Sequence, residues 1–204
     1  MNDIKNILMG VLRNKNTNMS QFRVTAHQLA LVLAQEMVNY LPKSQQTITT
    51  PLEASCSVPH IAGPITLVPI LRSGLALLPA FLDAFPAANV GVVGLKRNEE
   101  TAVAHWYYKN IPPLSSAHNV IILDPMLATG GTALEVLNLL KNMGIAQQNI
   151  FFASIICAQD GIDIVKNLYP DITIITAACD PKLNDKKYIV PGLGDFGDRY
   201  FGTE

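Results

Sequence analysis

The chain has 204 residues, 49% of them hydrophobic, and a formal net charge of −1 at pH 7. This length supports one sizeable hydrophobic core without requiring a second, so we expect a single domain over residues 1–204. The balanced charge excludes a strongly basic nucleic-acid-binding surface, and no apolar run is long enough to span a membrane. The first ten residues lack the apolar stretch of a signal peptide. We therefore expect a cytoplasmic protein without a nucleic-acid or membrane partner.

The N-terminal part of the chain is predicted to be helical. Apolar residues at three- and four-residue spacing predict a helix over residues 20–41, within a helical arm of about residues 1–42. Pro42 ends the pattern, because proline cannot continue a helix. Residues 45–61 are rich in Thr, Ser and β-branched side chains, which favours a hairpin or an irregular arm.

Short apolar runs then alternate with helix-like segments through a core of about residues 62–180. The runs predict strands at residues 65–70, 90–95, 119–124, 150–156 and 172–177. The segments between them predict helices at residues 74–85, 132–143 and 161–168. Residues 103–108, VAHWYY, are compatible with an additional strand.

The order of these elements predicts an α/β fold, a doubly wound parallel sheet with helices on both faces. The apolar runs lack strict alternation, which is typical of strands buried on both faces. Ligands bind to such sheets outside the carboxyl ends of the strands. Residues that directly follow each strand are therefore the candidates for function.

Residues 120–137, VIILDPMLATGGTALEVL, pass from a buried strand through a small-residue turn into an amphipathic helix. Gly130 and Gly131 let an anion approach the unpaired N–H groups at the helix start, so the turn suits one phosphate. It lacks the glycine patterns of nucleoside triphosphate and dinucleotide loops. Asp124 would repel that phosphate, so its natural partner is a sugar hydroxyl pair or a cation. The combination predicts a ribose 5-phosphate; the alternative is an acidic strand end and a capped helix start without a ligand.

Two further segments have the residue types of a binding site. In VPILRSGLALLP, residues 68–79, Arg72 stands between a strand end and a helix start. A guanidinium there suits a diphosphate leaving group; the alternative is an exposed arginine at a helix cap. In KYIVPGLGDFGDRYFGT, residues 187–203, four glycines interrupt any helical or strand period. Such a segment offers backbone groups to a ligand, or it is an ordered coil that closes the core.

Together these segments resemble one enzyme family. The string DPMLATGGT, residues 124–132, resembles the phosphoribosyl diphosphate loop of the type I phosphoribosyltransferases. Many of those families carry two adjacent acids at the strand end, and Pro125 replaces the second here, as in the uracil phosphoribosyltransferase branch. The C-terminal segment, residues 94–101 (GLKRNEET) and residues 12–23 resemble the same branch, so the resemblance spans nearly the whole chain.

The resemblance implies transfer of the 5-phosphoribosyl group from 5-phospho-α-D-ribose 1-diphosphate to N1 of uracil, giving UMP and diphosphate. It implies a donor site of Arg72, Arg97, Asp124, Pro125, Met126, Leu127, Ala128, Thr129, Gly130, Gly131, Thr132 and Asp195. It implies a uracil site of Ile189, Gly194, Asp195 and Phe196, within a base-binding segment of about residues 187–204 that contributes to a small hood. Arg72 and Asp195 are the implied catalytic residues.

The resemblance also implies partners and a cofactor. Mg²⁺ is expected to arrive with the diphosphate and its water, without a dedicated set of protein ligands. The family implies a homodimer or a larger homo-oligomer, with GTP as an effector. The four scattered histidines are predicted to be structural or on the surface, and Cys56, Cys157 and Cys179 to be reduced thiols.

Three positions depart from the common family pattern. Phe196 stands where relatives usually carry Ala, Asn98 where they usually carry Asp, and Lys96 where an aromatic residue is frequent. A Phe196 ring inside the pocket would change base specificity or activity, whereas a ring outside it would leave function intact. Transfer to another base such as a purine, a non-catalytic regulator that keeps the pocket, and an RNA-binding module are the alternative functions.

Overall fold

The structure is a computed structural model that describes residues 2–97 and 104–203. Its helices are α1 Asn2–Arg13, α2 Met19–Met37, α3 Leu78–Ala84, α4 Gly131–Asn142, α5 Gln159–Leu168 and α6 Phe196–Phe201, with 3₁₀ turns at Ser73–Ala76 and Gln147–Asn149. Its strands are β1 Lys43–Thr49, β2 Ser55–Ile61, β3 Ile65–Leu71, β4 Asn89–Val90, β5 Val92–Arg97, β6 Ala104–Asn110, β7 Asn119–Leu123, β8 Met126–Leu127, β9 Ile150–Ala158, β10 Thr173–Asp180, β11 Lys182–Leu183 and β12 Ile189–Val190.

The central sheet has the strand order β10-β9-β7-β3-β5-β6. The pairings from β10 to β5 are parallel, which confirms the predicted doubly wound sheet. Strand β6 adds an antiparallel edge beside β5, so the predicted additional strand forms from Ala104 onward. Its three consecutive aromatic side chains are at least partly exposed rather than buried in the core.

Helices cover both faces of the sheet, as predicted. On β7, Ile121 and Leu123 belong to the hydrophobic cluster with α2 and α3, whereas Val120 and Ile122 belong to the cluster with α4 and α5. All four side chains are fully buried. The strand is apolar from Val120 to Leu123 because successive side chains point to opposite faces and each face meets a helix layer.

The long N-terminal helix α2 follows the predicted spacing and differs at its end. Asn18 caps it by accepting a hydrogen bond from the Gln21 N–H at 2.9 Å, and its buried stripe includes Phe22. The helix ends at Met37 rather than near residue 41, because residues 38–40 form a tight turn before Pro42. Helix α1 precedes it, so the predicted helical arm is two helices.

Residues 45–61 form the hairpin that was one of the two predicted alternatives. Strands β1 and β2 pair antiparallel from Lys43 with Ile61 to Thr49 with Ser55. Nearly all of their side chains are exposed. The hairpin therefore stands outside the hydrophobic core that the sheet and helices form.

Two predicted segments differ from the structure. The helix predicted over residues 74–85 is divided into a 3₁₀ turn and α3, because Pro79 favours the first turn of a helix and cannot occupy its interior. The C-terminal segment, predicted to lack regular structure, contains β12 and the short helix α6. Asp195 caps α6 and Gly202, with φ +71°, ends it, so local capping makes a helix that is too short to show a period.

The cysteines are free thiols: Cys157 is buried, whereas Cys56 and Cys179 are exposed. Across residues 2–97 and 104–203, no helix combines the length and the apolar character that crossing a membrane would require.

Candidate active site

Three neighbouring parallel strands end at the same edge of the sheet and bring the candidate residues together. Arg72 follows β3, Asp124 follows β7, and Arg97 is the last residue of β5. Strand β3 pairs with both of the others. The side chain of Arg97 and the whole of Asn98 lie outside the described residues, so their assigned contacts stay predictions.

The turns after β3 and β7 touch each other through Gly74. A Cβ atom at this position would lie 2.3 Å from the carbonyl oxygen of Leu123, which is far inside van der Waals contact. Glycine is therefore required there for the two turns to approach. This contact places the Arg72 turn directly beside the strand end that carries Asp124.

The turn after β7 encloses a cavity of about 130 Å³. Its lining consists of Asp124, Met126, Leu127, Ala128, Thr129, Gly130, Gly131, Thr132 and Ala133. The structure thus gathers almost the whole predicted phosphoribosyl loop around one space. Pro125 is the exception: it is buried, and its carbonyl oxygen accepts hydrogen bonds from the N–H groups of Ile155 and Ile156 on β9.

Backbone geometry makes the cavity suitable for an anion. Gly130 has φ +80° and precedes the first residue of α4, so the chain turns sharply into the helix. The first N–H groups of a helix have no carbonyl partner within it, and the helix dipole adds positive potential there. Gly161 of α5 supports the turn from behind, since a Cβ atom on it would lie 2.2 Å from the Ala128 carbonyl oxygen.

Asp124, the acidic residue in this cavity, has an unusually high pKa. Burial raises the pKa of Asp124 to about 7, although a hydrogen bond from the Met126 N–H opposes the change. That bond is 3.3 Å long. A carboxyl group with this pKa is only partly ionised at neutral pH, so donors from a ligand would stabilise its charged form.

Arg72 contacts the C-terminal segment. Its Nη2 lies 3.5 Å from the Thr203 hydroxyl, which in turn donates to the Asp198 carboxylate at 2.6 Å. The guanidinium also lies over the ring of Phe201, 5.3 Å from its centre. Sequence reasoning did not assign roles to Phe201 and Thr203, because nothing local indicates that they meet an arginine about 130 residues away.

The predicted uracil residues lie in the adjoining part of that segment. Gly194 and Asp195 line a second cavity of about 520 Å³, together with residues of the α1–α2 connection. Asp195 also accepts a hydrogen bond from the Asp198 N–H at 2.9 Å. Ile189 is buried in β12. The two cavities share no lining residue. Between them, the turn after β3 lies close to Gly197 through Ser73 and to Leu123 through Gly74.

The Phe196 ring lies in the hydrophobic core. It is fully buried, and its centre is 5.2 Å from that of Phe22 and 5.6 Å from that of Tyr200. The ring does not line the cavity formed by Gly194 and Asp195. The aromatic side chain at this position therefore packs in the core, and because the whole residue is fully buried, its backbone is not exposed in the cavity either.

Within residues 2–97 and 104–203, no group of three or more His, Cys, Asp or Glu side chains is arranged to hold a metal ion. Mg²⁺ prefers oxygen ligands and keeps several waters, so a substrate diphosphate would suit it as the main ligand. Asp124, Asp195 and Asp198 are the acidic residues that line the two cavities, and their carboxylates could contact its hydration shell.

Comparison with known proteins agrees with this arrangement. The family model described as uracil phosphoribosyltransferase matches residues 2–203. The chain is 38% identical over 195 residues to the uracil phosphoribosyltransferase of Limosilactobacillus reuteri, covering 95% of this chain and 92% of the relative. It is 42% identical over 193 residues to that of Halalkalibacterium halodurans, covering 95% and 91%.

Two solved structures share the fold of this chain. The AQ2163 protein from Aquifex aeolicus superimposes with a TM-score of 0.88 at 33% identity, covering 98% of this chain and 95% of that one. A purine phosphoribosyltransferase from Pyrococcus horikoshii, at 14% identity and a TM-score of 0.50, shares the fold over 78% of this chain and 82% of its own. This chain belongs to the uracil phosphoribosyltransferase family.

Proposed function

We propose that this protein transfers the 5-phosphoribosyl group of 5-phospho-α-D-ribose 1-diphosphate to N1 of uracil, giving UMP and diphosphate, within one domain over residues 1–204. One observation carries the proposal for this site: Asp124 and the start of α4 line the same small cavity. The N–H groups at the helix start can donate to a phosphate, and the nearby carboxylate can accept from hydroxyl groups. Together they match the two ends of a ribose 5-phosphate. Membership of the family supports the same reaction, which salvages a pyrimidine base.

The turn after β7 holds the sugar phosphate in this proposal. The 5-phosphate accepts hydrogen bonds from N–H groups at the start of α4 and from the Thr129 and Thr132 hydroxyls. Asp124 accepts hydrogen bonds from the ribose hydroxyls. The cost of ionising a buried carboxyl is then offset by donors that only the correct ligand supplies.

The diphosphate lies beside the turn after β3. Arg72 and Arg97 neutralise its oxygens and stabilise the negative charge that develops as it leaves. Asp195 would contact the water shell of a Mg²⁺ ion that arrives with the diphosphate, and the ion would supply positive charge to the leaving group. Phe201 and Thr203 hold the Arg72 guanidinium at this end of the site.

Uracil is read by the backbone of the C-terminal segment. N–H and C=O groups of Ile189, Gly194 and Asp195 match the alternating acceptors and donor of the uracil edge. Cytosine would place an amino donor where uracil has an acceptor oxygen. An unpaired buried group of this kind costs about 1–3 kcal/mol, which discriminates between the two bases.

The reaction is a substitution at C1′ of the sugar. The bond from C1′ to uracil N1 forms while the bond from C1′ to the diphosphate oxygen breaks, and the electron pair leaves with the diphosphate. The N1 proton is released from the base. Positioning of the two reactants supplies up to ~7–11 kcal/mol in favourable cases, and stabilisation of the leaving group supplies much of the rest.

Formation of UMP from uracil and the donor tests the proposal directly. We expect UMP in the presence of Mg²⁺ and little of it in EDTA, with cytosine and hypoxanthine as inactive bases. Transfer to hypoxanthine instead would favour a purine enzyme. Donor binding by calorimetry without UMP formation would favour a non-catalytic regulator.

Finer features of the function belong to the same proposal. We expect a cytoplasmic homodimer or larger homo-oligomer whose activity GTP changes, as the family resemblance implies. Light scattering during size-exclusion chromatography measures the assembly. Initial rates with and without GTP, at subsaturating donor, measure the effector response.

A further inference from the structure

An ion pair between a partly buried arginine and a buried aspartate holds the segment assigned to uracil. Arg13, the last residue of α1, donates to both carboxylate oxygens of Asp180 at 2.6 and 2.7 Å. Asp180 is the last residue of β10 and is 4% exposed. The two residues are 167 positions apart in the chain. Their forked geometry fixes both planes, because each donor of the guanidinium has its own acceptor.

Both members of the pair also bond to the backbone of Gly192. The Gly192 N–H donates to Asp180 Oδ2 at 2.7 Å, and the Gly192 carbonyl oxygen accepts from Arg13 Nη1 at 2.9 Å. One peptide residue is thus held by its donor and its acceptor at once. Gly192 lies between Ile189 and Gly194, whose backbones are assigned to uracil.

Gly192 has little freedom to move within this arrangement. Its φ is +63°, and a Cβ atom on it would lie 2.0 Å from the Ile189 carbonyl oxygen. The next residue, Leu193, is held in the same way, because its carbonyl oxygen accepts from Arg199 Nη1 at 2.6 Å. Two arginines therefore fix consecutive carbonyl groups directly before Gly194.

The carboxyl group of Asp180 has a lowered pKa. Burial would raise the pKa of Asp180, but hydrogen bonds from Arg13 and from the Gly192 N–H, with the charge of Arg13, lower it below its ordinary value. A carboxyl group with a lowered pKa loses its contribution only when the pH falls through that pKa. The hold on Gly192 is therefore present wherever the enzyme would work.

We propose that Arg13 and Asp180 are positioning residues for base recognition, which fix the backbone of residues 189–195 by holding Gly192 at both of its polar groups. This inference rests on the proposed function, since it assigns a role in uracil binding. Arg13 lines the same cavity as Gly194 and Asp195, but its guanidinium donates to Asp180 and to the Gly192 carbonyl oxygen, so neither Arg13 nor Asp180 is assigned a contact with the base. They act through the main chain whose N–H and C=O groups must match the uracil edge.

A purely structural role, tying α1 to the sheet, is the competing explanation, and the chain offers a matched control for it. Lys5, on the same helix, forms an ion pair with Glu36 of α2 and donates to the Thr176 carbonyl oxygen of β10 at 3.1 Å. The side chains of Lys5 and Glu36 are 7% and 19% exposed. This second pair anchors α1 as well, and it holds no residue of the C-terminal segment.

The experiment compares Asp180→Asn with Glu36→Gln in the full-length protein. The asparagine has one acceptor oxygen where the carboxylate has two, so its NH2 group must face a donor of Arg13 or the Gly192 N–H. We therefore expect the KM for uracil to rise about tenfold. The KM for the phosphoribosyl donor should stay within about twofold, because the donor turn is untouched. Glu36→Gln should lower the Tm by a similar amount and leave the KM for uracil unchanged.

Arg13→Lys provides a second variant if Asp180→Asn does not fold. It keeps the charge but lacks the fork that reaches Asp180 and the Gly192 carbonyl together, so the same rise in KM for uracil is expected. Hydrogen exchange of residues 189–195 should accelerate in both variants and not in Glu36→Gln. This exchange can be measured without substrates, so it tests the inference even if no UMP forms and the proposed function fails. Unchanged exchange and an unchanged KM for uracil, or an equal effect in Glu36→Gln, would overturn it.

Discussion

The guanidinium of Arg72 lies over the ring of Phe201, 5.3 Å from its centre. Arg72 belongs to the turn after β3, and Phe201 is the last residue of α6, in the C-terminal segment assigned to uracil. The group assigned to the leaving diphosphate therefore rests on the segment assigned to uracil. Any movement of that segment on base binding would therefore change the position of the Arg72 guanidinium.

Replacing Phe201 with Leu should weaken donor use. A cation over an aromatic face at a partly exposed site contributes about 0.5–1 kcal/mol, so kcat/KM for the donor should fall about two- to fivefold. Steady-state kinetics with varied donor measure it. Phe201→Tyr keeps the aromatic face and should behave like the parent protein; an equal loss in both variants would show that the ring face is not responsible.

Removing the guanidinium itself should have a larger effect. We expect Arg72→Ala to lower kcat/KM for the donor by about a hundredfold or more, because charge on the departing diphosphate loses its closest partner. Uracil binding, measured by calorimetry with a donor analogue present, should change much less. Kinetics like those of the parent protein would remove Arg72 from the mechanism.

The buried carboxyl of Asp124 predicts how donor affinity depends on pH. Its pKa is raised to about 7 by burial, so the ionised form that accepts from ribose hydroxyls becomes dominant only above neutral pH. Donor affinity should therefore increase as the pH rises through about 7. Calorimetric titrations between pH ~6 and pH ~8 should show this increase for the parent protein. In Asp124→Asn the increase should be absent and donor binding should be weaker.

The same carboxyl predicts a stability difference in the free protein. Its pKa rises from 3.8 in the unfolded chain to about 7 in the fold, so the folded state holds a proton that the unfolded state loses between these values. Stability should fall as the pH rises across this interval, by at most about 4 kcal/mol. Asp124→Asn removes this loss, so its advantage in urea unfolding should be greatest above pH ~7.5 and vanish near pH ~4. An advantage that does not change with pH would contradict the assignment.

Gly161, which packs against the turn after β7, should be needed for binding of the phosphoribosyl donor. Gly161→Ala would place Cβ 2.2 Å from the Ala128 carbonyl oxygen, so the turn or α5 must move. We expect weaker donor binding and a loss of about 1–3 kcal/mol in stability. Gly10→Ala, also within a helix but with no atom within 4 Å of the new Cβ, should be neutral or stabilise by about 0.4–1 kcal/mol. Equal behaviour of the two variants in thermal unfolding and donor titration would contradict the prediction.

Local sequence was sufficient to predict the structure of the turn after β7, but it was insufficient to predict the helix in the C-terminal segment. Between Asp124 and Thr132 the strand end, the turn and the helix start are contiguous, so chain connectivity alone brings the acid close to the backbone donors. The helix α6 has six residues, fewer than two turns, and its start depends on capping by Asp195 rather than on a hydrophobic period. The glycines of this segment are therefore evident in the sequence, whereas its helix is not.

The sequence by itself determined the alternation of strands and helices, and hence that Arg72, Arg97 and Asp124 lie at or just after the carboxyl ends of strands. The tertiary structure decided that these three strands are neighbours in the sheet. Only the tertiary structure decided that the Phe196 ring points into the core, that Arg72 lies over Phe201, and that Arg13 and Asp180 hold Gly192. The reason is physical. Periodicity records which side of an element is buried, whereas contacts between groups more than a hundred residues apart depend on how the helices and the C-terminal segment pack against the sheet.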